Sequence, residues 1–224
     1  MGEPIVVELD GPRFGPVNGG PPDALVVLVH GLGADGDDLI DLATIWAPAV
    51  PGAVFVAPHA PERIEGLPKG RQWFALWDRS EAQLRAGVQA AAAALGAFVA
   101  AEAERLSVPP DRVALMGFSQ GAMTVLEAGL RGAVPDAACV LAYAGGMIGG
   151  DALAEEIVAR PAVLLVHGED DEVVPAAASR AAAAAMEAAG VPVRAVFRPG
   201  LGHGLDDVGL AAGAQVLHAV LKGA

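Results

Sequence analysis

The sequence predicts an α/β fold, in which helices cover both faces of a mostly parallel central sheet. Short apolar runs recur along the chain without polar–apolar alternation, as strands covered on both faces require. Segments with helical periodicity separate several of these runs, as expected for crossover connections between parallel strands. The chain has 224 residues, of which 54% are hydrophobic and 18% charged, so we expect one well-packed domain over residues 1–224.

The order of the elements follows from these runs and from the Gly, Pro and Asp residues between them. Strands are predicted over residues 24–29, 53–57, 112–117, 138–144, 162–166 and 193–197, with an edge strand over residues 5–9. Helices are predicted over residues 38–46, 82–106, 120–130, 175–189 and 210–221. The alanine-rich run 86–101 is short for a membrane span and contains Gln89, so it is interpreted as part of a helix of the domain.

Charge and cysteine content exclude several classes of function. Lys and Arg number 14 against 27 Asp and Glu, giving a net charge of −13, and no basic cluster is present to bind phosphates. We therefore expect no nucleic-acid partner and no stable association with a membrane. Cys139 is the only cysteine, so no disulfide forms within the chain, and the first ten residues lack a signal-peptide pattern. These features predict a cytoplasmic protein.

The strongest chemical signal is the segment Gly117-Phe118-Ser119-Gln120-Gly121, which lies between a predicted strand and a predicted helix. A G-x-S-x-G turn in this context exposes a serine hydroxyl above the end of a sheet. Side chains at the two glycine positions would collide with the neighbouring strand and helix. Ser119 is therefore predicted to be a nucleophile, which needs a base and a carboxylate from elsewhere in the chain.

His203 is the predicted base among the five histidines. It lies in a glycine-rich loop directly after the last predicted strand, where it can approach the serine, and chain order places the base last. The carboxylate is expected after the strand 162–166, where Glu169, Asp170, Asp171 and Glu172 follow one another. The turn at residues 173–175 favours Asp171, with Asp170 as the alternative. An acidic helix start or a cation site would also account for this run.

Acyl transfer needs hydrogen-bond donors for the developing oxyanion. The backbone N–H of Gln120 follows the nucleophile at a helix start, and the loop after the first apolar strand supplies a second donor at Leu32. Because the oxyanion would use the N–H of Gln120, its side chain is expected to matter little.

Together these motifs resemble those of the small carboxylesterase/phospholipase group of α/β-hydrolases, which includes the acyl-protein thioesterases. The resemblance covers residues 30–36 as oxyanion loop, 117–121 as nucleophile elbow, 167–175 as acid loop and 202–203 as base loop. It also covers Gln72-Trp73-Phe74, a segment beside the substrate groove in that family. The acid loop departs from the family pattern at Glu172, where members often carry proline.

The resemblance implies an α/β-hydrolase that cleaves carboxylic esters, thioesters or lysophospholipids through an acyl-enzyme on Ser119, with Asp171 and His203 completing the triad. It implies no cofactor and no metal, and a small-molecule or acylated ester as substrate. Residues 143–161 leave no room for a large cap domain, so the site should be open. Trp73 and Phe74 are candidates for substrate binding, and Trp77 could add to the same groove wall, with core packing as the alternative.

Other functions stay open at this point. The same serine chemistry opens lactones and amides, and a hydrolase-like binding protein would keep the pocket without turnover. A homodimer is compatible with the sequence.

Overall fold

The structure, a computed structural model, describes residues 9–76 and 80–222 and follows the predicted alternation of strands and helices. In chain order the elements are β1 (Arg13–Phe14), β2 (Ala24–Val29), α1 (Asp37–Ile40), α2 (Leu42–Trp46), β3 (Ala53–Val56), β4 (Glu62–Arg63), β5 (Arg71–Gln72), α3 (Glu81–Leu106), β6 (Val113–Phe118), α4 (Gln120–Leu130), β7 (Cys139–Tyr143), α5 (Leu153–Glu156), β8 (Ala162–Gly168), α6 (Ala176–Ala188), β9 (Val193–Arg198) and α7 (Asp207–Leu221).

Seven of these strands form the central sheet in the order β1-β3-β2-β6-β7-β8-β9. From β3 to β9 every pairing is parallel, and only the short edge strand β1 runs antiparallel, against β3. The parallel strands are connected by helices, and their carboxyl ends lie along one edge of the sheet. Ligand and catalytic sites of open α/β sheets occupy this edge.

Helices cover both faces of the sheet and bury a core on each. One core packs α3, α4 and α6 against the sheet, and the other packs α2 and α7 against the opposite face. Strands β2 and β7 are buried along their whole length, which explains why they are continuous apolar runs in the sequence. The predicted fold class, a mostly parallel sheet with helices on both faces, is confirmed.

The principal strands and helices lie within a few residues of their predicted bounds, and three local features differ. The predicted helix 38–46 is divided at Asp41 into α1 and α2. The strands β4 and β5 form a separate two-stranded sheet that the sequence does not predict, because each is only two residues long. Of the predicted edge strand 5–9 only Leu9 is described, and it is not in a strand.

α3 is the one helix of the described chain that is long and apolar enough to cross a membrane by length and hydropathy alone. It packs instead along the sheet and α4, burying Leu95, Phe98 and Val99 among other side chains. Helices in the core of a globular domain commonly have this composition.

The connection from β7 to β8 contains one 3₁₀ turn, Gly150–Ala152, and the four-residue helix α5. Insertions that cover the site would enter here, and this connection is too short to form one. The carboxyl ends of the strands are therefore not covered by a cap domain.

Candidate active site

The residues predicted to carry the chemistry meet at the carboxyl ends of four strands. Ser119 follows β6, Asp171 lies in the loop after β8, and His203 lies in the loop after β9. The loop after β2, residues 30–33, approaches from the other side. Residues separated by up to 84 positions in the sequence are thus brought into contact.

Ser119 lies in a tight turn between β6 and α4, with φ of 55° and ψ of −115°. Its backbone N–H donates to the Tyr143 carbonyl oxygen at 2.8 Å, which ties the turn to β7. A Cβ on Gly121 would overlap the Val29 carbonyl oxygen, and one on Gly117 would overlap the Gly121 carbonyl oxygen. The predicted need for glycine at both positions is confirmed, because β6, α4 and the neighbouring strand β2 approach one another too closely at this turn to admit a side chain.

Ser119, His203 and Asp171 form a continuous hydrogen-bonded series. His203 Nε2 lies 2.9 Å from Ser119 Oγ, and His203 Nδ1 lies 2.7 Å from Asp171 Oδ2. The carboxylate only accepts, so Nδ1 carries the imidazole hydrogen and Nε2 is the acceptor for the serine hydroxyl. This is the arrangement in which imidazole can take the proton of the serine as the hydroxyl oxygen attacks.

The Asp171 carboxylate is buried and held on both oxygens. Oδ1 accepts from the backbone N–H groups of Val173 and Val174 at 2.8 and 2.9 Å, while Oδ2 faces His203. Burial by itself raises the pKa of the Asp171 carboxyl, but the hydrogen bonds from His203, Val174 and Val173 outweigh it and hold this pKa below its ordinary value. Asp171 is therefore ionised in the neutral pH range, whereas Asp170 is exposed and lies outside the hydrogen-bonded series.

The loop after β2 is held close to Ser119. A Cβ on Gly31 would lie 3.3 Å from Ser119 Cβ, and Gly33 N–H donates to the Arg71 carbonyl oxygen on β5 at 2.9 Å. Neither Leu32 N–H nor Gln120 N–H donates to an acceptor within the described residues. Two N–H groups without acceptors beside a serine nucleophile are what an oxyanion hole requires.

The buried side chain of His30 holds the same loop through two hydrogen bonds. Its Nε2 accepts from Ala60 N–H at 2.9 Å, so Nδ1 carries the hydrogen and donates to the Gly31 carbonyl oxygen at 2.8 Å. Burial lowers the pKa of His30, and the Gly31 carbonyl only partly opposes this. The imidazole is therefore a neutral structural group.

The side chain of Gln120 has a structural role that the sequence did not indicate. Gln120 is 1% exposed. Its Oε1 accepts from Trp73 N–H at 2.9 Å, and its Nε2 donates to the Phe74 carbonyl oxygen at 2.7 Å. The Trp73 indole N–H donates in turn to the His30 carbonyl oxygen at 2.9 Å. These bonds connect the two loops that carry the Leu32 and Gln120 N–H groups, which gives the Gln120 side chain a structural role and argues against the expectation that it matters little.

Trp73 and Phe74 were candidates for a substrate groove, and the structure buries both at 2% exposure. They border a shallow cavity of about 250 Å³ together with Glu62, Ala75, Gln83, Gly87 and Ala90, and no member of the triad lines it. Their burial fits the core-packing alternative, while their place on this cavity leaves substrate binding by Trp73 and Phe74 a prediction. Trp77, the other aromatic candidate for the groove wall, lies outside the described residues.

Cys139 offers no competing nucleophile. It lies within β7, and burial raises the pKa of its thiol to about 12, so that it stays protonated.

Comparisons with known proteins agree with this geometry. Residues 17–221 match the model of a family described as phospholipase/carboxylesterase. The chain is 31% identical over 187 residues to the esterase YpfH of Escherichia coli K12, covering 84% of this chain and 78% of that protein. It is 25% identical over 197 residues to an acyl-protein thioesterase 1 of Gibberella zeae, covering 80% and 83% of the two chains. The crystal structure of esterase PE8 superposes with a TM-score of 0.89 at 37% identity, covering 96% of this chain and 100% of that one.

Proposed function

Because the chain belongs to the phospholipase/carboxylesterase family of α/β-hydrolases, we propose that it hydrolyses carboxylic esters through an acyl-enzyme on Ser119. The observation that carries this proposal is the hydrogen-bonded series from Ser119 through His203 to the ionised Asp171.

In the first step Ser119 Oγ attacks the ester carbonyl carbon, while His203 Nε2 takes the hydroxyl proton. Asp171 stabilises the imidazolium that forms, and the Leu32 and Gln120 N–H groups bind the negative oxygen of the tetrahedral intermediate. His203 then gives its proton to the leaving alkoxide as the carbon–oxygen bond breaks. A water molecule then attacks the carbonyl carbon of the acyl-enzyme, with His203 as base. This second step releases the carboxylic acid and free Ser119.

Exposed apolar side chains near the triad support an acyl substrate. Leu32, Leu67 and Val173 are large, at least 46% exposed, and lie on segments that border the strand ends. Leu67 is tied to the loop after β2 through Gly70, whose Cβ would lie 3.2 Å from the Gly33 carbonyl oxygen. An open, partly apolar rim fits the acyl chain of an ester or thioester better than a highly charged ligand.

The test is hydrolysis of p-nitrophenyl esters from acetate to long acyl chains, measured as kcat/KM. We expect Ser119→Ala and His203→Ala to lose at least about 10³-fold. The matched control is His218→Ala, because His218 lies on α7 and its ring is hydrogen-bonded to the Ala49 carbonyl oxygen, away from the triad. Equal rates for the native chain and Ser119→Ala would contradict the proposal. Parallel assays with a thioester, a lysophospholipid, a lactone and an anilide would assign the substrate class.

The expected cellular setting is part of the same proposal. A net charge of −13 and the single buried thiol support a cytoplasmic hydrolase that takes its substrate as a free or protein-bound ester, without nucleic acid and without stable attachment to a membrane.

A further inference from the structure

A second histidine lies behind the acid of the triad. The side chain of His167, near the end of β8, has no exposed surface, and its Nε2 lies 2.8 Å from the Val174 carbonyl oxygen and 3.2 Å from Asp171 Oδ2. Both neighbours only accept hydrogen bonds, so Nε2 carries a hydrogen. The hydrogen bond goes to Val174, and the positive edge of the ring lies against the Asp171 carboxylate.

The opposite side of the His167 ring is bound to the elbow that carries the nucleophile. Its Nδ1 lies 2.6 Å from Ser179 Oγ on α6, and that oxygen also lies within hydrogen-bond distance of the Gly145 carbonyl oxygen, so the one hydroxyl hydrogen is placed between two acceptors. Gly145 packs directly on the elbow, where a Cβ would lie 2.9 Å from the Ser119 carbonyl oxygen. A buried series of contacts therefore connects the acid loop to the nucleophile turn without passing through His203.

We propose that His167 is a positioning residue of the triad: it holds the Val174 carbonyl and faces Asp171 Oδ2, and so fixes the carboxylate that orients His203. The inference rests on the hydrolytic role proposed above. The first half of the loop 169–175 is held by backbone bonds from Glu169 N–H to the Arg198 carbonyl and from Asp170 N–H to the Leu201 carbonyl. In its second half the Val173 and Val174 N–H groups donate to Asp171 Oδ1, and the Val174 carbonyl accepts from His167. Among the described residues His167 is thus the group that contacts both the Val174 carbonyl and the Asp171 carboxylate.

The groups that face His167 determine the sign of its effect on pH dependence. The acid loop presents Asp171, the base loop presents His203 beyond that carboxylate, and α6 presents the neutral Ser179 hydroxyl. Arg180, the next residue on α6, is directed outward to Glu169 at 2.6 Å. Removing the imidazole takes a positive edge away from Asp171 Oδ2 and leaves more of the carboxylate charge facing the base loop. The acid limb of kcat/KM is therefore expected to move to higher pH.

The experiment compares His167→Leu and His167→Gln with the native chain. Leucine has a similar size but no donor, so the Val174 oxygen loses its partner, while Asp171 Oδ2 loses the contact with His167 and keeps its bond to His203. Glutamine can place an amide N–H near the position of Nε2. We expect His167→Leu to lower kcat about 10- to 100-fold with KM changed less than about twofold, because a misplaced catalytic group affects the transition state more than binding. His167→Gln should recover kcat to within about threefold.

Rates are normalised to sites that a phosphonate ester titrant labels on Ser119, so that loss of folded protein is not counted as loss of catalysis. Variants with lower thermal stability but a native kcat per labelled site and an unmoved acid limb would overturn the inference, since they would show a purely structural histidine. If His167→Leu fails to fold, Ser179→Ala decides, because it removes the hydroxyl beside His167 Nδ1 and keeps the ring. A lowered kcat in Ser179→Ala would support the inference, and a native kcat and acid limb would overturn it. A native chain without Ser119-dependent turnover would instead refute the proposed function.

Discussion

Replacing Gln120 by alanine tests the interpretation that its amide joins two parts of the site. The change deletes both side-chain bonds and leaves the buried N–H of Trp73 and the buried C=O of Phe74 without partners. An unsatisfied buried polar group costs about 1–3 kcal/mol, so the two together should lower the free energy of unfolding by about 4 kcal/mol. For a domain of this length, 1 kcal/mol corresponds to about 2–4 °C in Tm, which gives a decrease of about 8–16 °C.

Gln120→Glu is the matched variant, because its size and one acceptor oxygen are retained. The second carboxyl oxygen would face the Phe74 carbonyl oxygen, so the folded state favours the protonated acid and raises the pKa of the new carboxyl above its unfolded value. A group with a raised folded pKa stabilises the fold below the unfolded pKa, and that stabilisation is lost as pH rises. The Tm difference from the native chain should therefore grow between pH 4 and pH 8.

Thermal melts followed by circular dichroism measure both effects. A Gln120→Ala variant within about 2 °C of the native Tm would refute the assignment of two buried hydrogen bonds. A Gln120→Glu variant whose Tm difference is the same at pH 4 and pH 8 would refute the bond to the Phe74 carbonyl.

Three further outcomes are expected. Asp171→Asn should lower kcat about 10⁴-fold, because an amide favours the wrong imidazole tautomer, whereas the exposed Asp170→Asn should stay within about threefold; the reverse order would assign the acid to Asp170. Gly121→Ala should yield little folded protein, because its Cβ meets the Val29 carbonyl, whereas Gly204→Ala enters open space and should be recovered normally; equal yields would contradict the tight elbow. Because the pKa of Asp171 is lowered in the folded state, the ionised carboxylate stabilises the fold above the ordinary carboxyl pKa, and this stabilisation is lost as pH falls. The Tm of the native chain should therefore fall more than that of Asp171→Asn between pH 5 and pH 3.

The sequence predicted the sheet and the nucleophile turn because both depend on local patterns. Ser119 lies in a short motif between an apolar run and a helical run, and His203 lies in a glycine-rich loop. The choice of Asp171 over its neighbour depends on which carboxylate the loop turns inward, and the residues alone favoured it without excluding Asp170. The Gln120 side chain could not be assigned, because its partner Trp73 lies 47 positions away and is recruited by tertiary packing.

Other differences have the same origin. β4 and β5 are two residues long and carry no apolar alternation, so the sequence does not predict their pairing. The tertiary structure shows it, together with the backbone hydrogen bonds between Arg71 and the loop after β2. Trp73 and Phe74 are aromatic residues near the site in sequence, and composition alone does not distinguish a groove wall from a core wall. The backbone bonds of the two residues to Gln120 account for their burial and could not be read from the sequence.

The order of the sheet also governs when this chain acquires reactivity during its synthesis. β6, β7, β8 and β9 pair in the order in which they leave the ribosome, and the base emerges only after the last of them. A nascent chain that ends before His203 would lack the group that takes the proton of Ser119, and the serine hydroxyl would be an ordinary alcohol. Phosphonate labelling of stalled chains of increasing length should therefore begin only after the base loop has emerged, so acylation of Ser119 would report completion of the fold.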